Sequence, residues 1–86
     1  MMPTVTHVDY LQDILDSVEQ IASFIQGMSF EDFGQDDKTV FAVLHALEII
    51  GEATKQLPQR TRDCHPEVPW REMAGMRDKV IHHYFG

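Results

Sequence analysis

Arg77, Asp78, His82 and Tyr84 lie close together near the C-terminal end of an 86-residue sequence, in the run Arg77-Asp78-Lys79-Val80-Ile81-His82-His83-Tyr84-Phe85-Gly86. Arginine holds phosphate with a planar, permanently charged fork, and histidine is the side chain that exchanges protons near neutral pH. On a helix, side chains four residues apart share a face, which stacks Asp78 with His82 and Lys79 with His83. Arg77 and Tyr84, seven apart, return to nearly the same azimuth. Arg77 and His82 are separated by about 140° on an ideal helix, a gap that the length of arginine can bridge. The set amounts to a phosphate clamp, a proton carrier, and an acid able to fix the tautomer of the imidazole. Those are the parts that RNA cleavage without a metal requires: a base for the 2′-hydroxyl, cations for the charged phosphorane and an acid for the leaving oxygen. His82 and His83 are adjacent, so their side chains diverge and make a poor metal chelator.

Those residues need a scaffold, and the pattern of the chain predicts helices throughout. Leu11, Ile14, Leu15, Val18, Ile21, Ala22 and Ile25 recur at three- and four-residue steps, which predicts an amphipathic helix from Thr6 to Gly27. Thr6 to Asp9 has capping-box spacing, and Gly27 suits a stop. Residues 28–37 form a connector in which Ser29 is expected to cap a single turn, with Phe30 and Phe33 plugging the end of the bundle. Its acids, Glu31, Asp32, Asp36 and Asp37, lack the spacing of a calcium loop and are expected to be solvated.

A second long helix is predicted from Asp37 to Leu57, stopped by Pro58. Gly51 lies inside it, which is tolerable where two helix backbones pack closely. Beside it Glu48 and Glu52 share a face, exposed or aimed at the C-terminal helix. A short helix from Gln59 to His65 follows, and a last one from Pro69-Trp70 to Phe85 has Gly75 as its one internal breaker. The expected fold is all-α, a single domain over residues 1–86: an up-and-down bundle of two long antiparallel helices, a short third and a motif-bearing fourth.

Composition bounds the partners. Hydrophobic residues make up 43% of the chain, enough for a folded globule. No apolar run is long enough to span a bilayer, no secretory signal begins at Met1, and Cys64 stands alone; a reducing cytoplasm is the expected compartment. A net charge of −7 argues against a general nucleic-acid binder. The charge is uneven, however. Residues 1–53 carry ten acids and one base, whereas residues 54–86 carry six bases and four acids, so any polyanion should meet the C-terminal third.

The run from Pro69 to Gly86 resembles the signature of the HepT-like toxins, a branch of the HEPN superfamily marked by Arg-x4-His-x-Tyr. Ile49-Ile50-Gly51-Glu52-Ala53-Thr54-Lys55 is similar to that family's second-helix segment. The resemblance implies an HEPN-like helical fold and the toxin of a toxin–antitoxin system: a homodimeric, metal-independent endoribonuclease acting on mRNA or tRNA. Its motif residues from two subunits would meet in an interface cleft. It implies that Arg77 binds phosphate, that His82 is the catalytic histidine and that Asp78 is the supporting polar residue. The partner it implies is a nucleotidyltransferase antitoxin that silences the toxin by adenylylating Tyr84. No cofactor and no metal are expected. Family members usually continue into another helix beyond the Tyr-Phe-Gly segment, which this sequence is expected to lack. A non-catalytic, HEPN-like module for dimerisation or antitoxin binding is the alternative.

Overall fold

A computed structural model describes residues 7–82, and these form helices joined by short turns, with no strand among the described residues. The helices are α1 (His7–Phe24), α2 (Phe30–Gln35), α3 (Asp37–Gln56), α4 (Gln59–Asp63), α5 (Trp70–Ala74) and α6 (Met76–Val80). The all-α expectation holds. The Thr6 cap expected for the first helix, along with His83, Tyr84 and the rest of the C-terminal segment, falls outside the described residues.

Local chemistry sets the helix ends. After α1 the chain reverses at Gly27, whose φ of +77° is open to glycine at little steric cost. Ser29 then caps α2 reciprocally: the Asp32 N–H donates to Ser29 Oγ at 3.0 Å, and the Ser29 N–H donates to Asp32 Oδ2 at 3.2 Å. Asp36 caps α3 by accepting from the Thr39 N–H at 3.2 Å. Two acids of the connector therefore serve helix ends, Asp32 from inside the first turn of α2 and Asp36 as the N-cap of α3. Leu57, just before Pro58, ends α3 with its side chain buried.

α3 is the central element, with α1, α2, α5 and α6 all packed on it. Ile14 of α1 meets Ile50, Ala53 and Leu57 in the core, joined at its edge by Tyr10, Leu47, Trp70 and Met73. Near the other end, Ile21 and Ile25 lie close to Val43. The start of α1 thus faces the end of α3, as two antiparallel helices must. Thr54 is fully buried, and its hydroxyl donates to the Ile50 carbonyl at 2.7 Å, which satisfies it within the apolar interior.

Three expectations need correction. The apolar face of α1 is wider than its one large neighbour can cover: Ile14 and Ser17 are buried, whereas Leu15 and Val18 are more than half or half exposed. Phe30 plugs nothing, being 89% exposed; with Phe33, Ile21, Ile25, Met28 and Val43 it rims an open apolar cavity of about 330 Å³. The last helix is interrupted at Gly75, whose φ of −77° and ψ of −9° tighten the backbone between α5 and α6. Helical winding then continues past α6 through Ile81 and His82, with wider π-type spacing.

Candidate active site

α6 is seated on α3 by the absence of a side chain. A Cβ added at Gly51 would lie 2.6 Å from the Arg77 backbone nitrogen and 3.0 Å from its Cβ, so the two helices touch main chain to main chain there. Val80, one turn on, is only 4% exposed and anchors the same helix by apolar burial. Arg77 is therefore held at the surface of α3 by its own backbone.

That close approach brings the charged residues beside Gly51 against the motif. Glu52 Oε2 lies 3.6 Å from Arg77 Nε. Lys55, three residues further along the same side of α3, donates from Nζ to both carboxylate oxygens of Asp78 at 3.1 and 3.2 Å. Asp78 Oδ1 also lies 3.8 Å from Arg77 Nη1. The four side chains alternate in sign, Glu52, Arg77, Asp78, Lys55, with equal numbers of each charge. All are partly exposed, Arg77 at 41% and Asp78 at 65%, so a ligand can reach them. Of the two α3 acids, Glu52 does face the C-terminal helix, as its pairing with Arg77 shows.

The candidate residues separate into three positions. Arg77 and Asp78 stand together in this network. His82 is exposed, one turn beyond Asp78 on the same winding. Tyr84 lies outside the described residues. The spacing of Asp78 and His82 suggests an acid devoted to the imidazole, yet both Asp78 oxygens accept from Lys55, 23 residues away in sequence. The motif's spacing could not reveal Lys55 because the pairing crosses between helices. The signal was Gly51: once a close helix crossing is expected there, Glu52 and Lys55 become the charges that must meet the opposing helix.

Trp70, His65, His45 and Cys64 have structural roles or lie at the surface. Trp70 packs on the core and its indole N–H donates to the His65 carbonyl at 2.9 Å. His65 Nδ1 is 3.4 Å from Glu67, His45 is exposed, and Cys64 is a free, exposed thiol. Among the described residues, no helix is long and apolar enough to cross a membrane.

Comparison with known proteins adds an independent line. Residues 14–86 match the family model described as Ribonuclease HepT-like. The chain is 58% identical to a protein of Thermococcus cleftensis named "Probable ribonuclease HepT", over 94% of this chain and 74% of that protein. It is 52% identical to a candidate ribonuclease of Caldanaerobacter subterraneus subsp. tengcongensis, over 90% of this chain and 69% of the relative. A candidate ribonuclease of Methanocaldococcus jannaschii is 49% identical over 90% of this chain, which spans 64% of that protein. No solved structure matches.

Proposed function

The chain belongs to the HepT-like ribonuclease family, and on that premise we propose that it is the toxin of a toxin–antitoxin pair, cutting cellular RNA in a cleft between two copies of itself. As a family member it is a ribonuclease of the HEPN type. The observation that carries the site assignment is the seating of Arg77 on Gly51, which presents a partly exposed guanidinium next to His82's turn. In the proposed reaction Arg77 binds the scissile phosphate and stabilises the charge that builds on its oxygens. His82 removes the proton from the 2′-hydroxyl, and the resulting oxygen attacks phosphorus. The P–O bond to the 5′-oxygen then breaks, and that oxygen takes a proton from the His82 of the second copy. A twofold dimer supplies both imidazoles and brings the motif cations of two copies to one cleft.

Control of the toxin falls to a nucleotidyltransferase antitoxin that adenylylates Tyr84. The AMP phosphate would compete for Arg77 where the RNA phosphate binds, and its bulk would fill the cleft. The proposed compartment is the cytoplasm, where RNA and antitoxin both are.

Arg77→Ala and His82→Ala test the reading directly. Each is expected to lower RNA cleavage in EDTA by about a hundredfold or more and to abolish growth inhibition. Full cleavage by both variants would remove the site assignment. Intact-mass spectrometry after co-expression with a nucleotidyltransferase of the proposed antitoxin class should show AMP additions mapping to Tyr84, and an unmodified mass would leave inhibition to complex formation alone.

A further inference from the structure

We propose that Lys55 is a positioning residue of the ribonuclease site, one that keeps Asp78 off Arg77 so that the guanidinium stays available to RNA phosphate. The proposal rests on the assignment of Arg77 as the phosphate-binding residue. Asp78 is adjacent to Arg77 in sequence and carries the charge that a phosphate would bring, so it is a built-in competitor. Its distances show which cation it serves. Lys55 Nζ lies 3.1 and 3.2 Å from its two oxygens, within hydrogen-bond range, whereas Arg77 Nη1 lies 3.8 Å from Oδ1. A charge-assisted N–H···O bond closes at about 2.7–2.9 Å, so Asp78 stops roughly 1 Å short of Arg77. Glu52, at 3.6 Å from Nε, also stops short of a hydrogen bond. The guanidinium is thus surrounded by negative charge that orients it, and neither carboxylate takes up its N–H donors.

Lys55 holds this arrangement from a different helix. Its backbone is fixed in α3 one turn beyond Gly51, where α6 is seated, so the ammonium is delivered at a set height beside Asp78. Without it, Arg77 would be the one cation among the described residues left in ion-pair range of the Asp78 carboxylate, which would need only a small rotation to close on it. Lys55 then promotes RNA binding without touching RNA.

Binding of a 2′-O-methyl RNA oligonucleotide, which lacks the nucleophile and stays uncut, isolates this role. Fluorescence anisotropy at fixed salt should show Lys55→Met weakened about threefold to fivefold, the scale of a partly exposed ion pair. Lys55→Arg should bind like wild type. Adding Asp78→Asn to Lys55→Met should restore affinity, whereas adding Glu72→Gln, equal in net charge but outside the network, should not. Unchanged binding in Lys55→Met overturns the proposal, as does a double variant with Asp78→Asn that stays weak, since Lys55 would then contact RNA itself. Restoration by Glu72→Gln also overturns it, by reducing the effect to overall charge. Arg77→Ala serves as the separate check: wild-type binding there removes the phosphate-binding assignment itself, whereas a large loss beside an indifferent Lys55→Met removes only the role of Lys55.

Discussion

Two glycines of the site region predict opposite outcomes on gaining a methyl group. At Gly51 the new Cβ would meet the backbone of Arg77 at 2.6 Å, and a main chain cannot swing aside as a side chain can. Gly51→Ala gains about 1 kcal/mol of helix preference and loses about 1–3 kcal/mol to overpacking. It should lower the melting temperature by about 5 °C and, by lifting α6, reduce RNA cleavage more than tenfold; calorimetry and a cleavage assay on one sample check both. At Gly75 the nearest atom to a new Cβ is the Arg71 carbonyl oxygen at 3.5 Å, ordinary contact, and φ is already −77°. Gly75→Ala should therefore stabilise the fold by about 0.4–1 kcal/mol, seen as a higher midpoint in urea. Much of this scale was legible beforehand. Gly51 marked a close crossing, whereas the roles of Arg77 and His82 await the cleavage assay. What met Gly51 was not legible, because a contact between residues 26 positions apart leaves no trace in local periodicity.

The ends of the elements were easier to read than their faces. Ser29 was legible as a cap, and the structure forms its bond together with a reciprocal one to Asp32, an acid expected only to be solvated. Asp36 plays the same part for α3, and Asp36→Ala should cost about 1 kcal/mol, measured as a lower urea midpoint with an unchanged slope. The face of α1 resisted prediction for a geometric reason. Its apolar residues span a wider arc than one neighbouring helix can cover, so periodicity identified the arc without saying which half meets α3. Ile14 and Ser17 turned inward, leaving Leu15 and Val18 outward. Phe30 was misjudged on similar grounds, since hydrophobicity alone does not distinguish a plug from the rim of an open cavity.

At the scale of the whole molecule, a small core serves both the fold and the site. Leu57 is 2% exposed and joins Ile14, Ile50 and Ala53 where α1 meets the end of α3. Leu57→Ala should cost about 2–5 kcal/mol, a large share of what so short a chain can hold, and circular dichroism should show much of it unfolded at 37 °C. The bare notch at Gly51 has a mechanical consequence. Leu47 and Lys55, one helical turn to either side, both carry side chains, so α6 cannot glide along α3 to a neighbouring seat. Its position is indexed like a key in a ward, with one register allowed along α3. Gentle warming should therefore leave turnover intact until the helices part, with enzymatic decay and loss of ellipticity tracing a single curve.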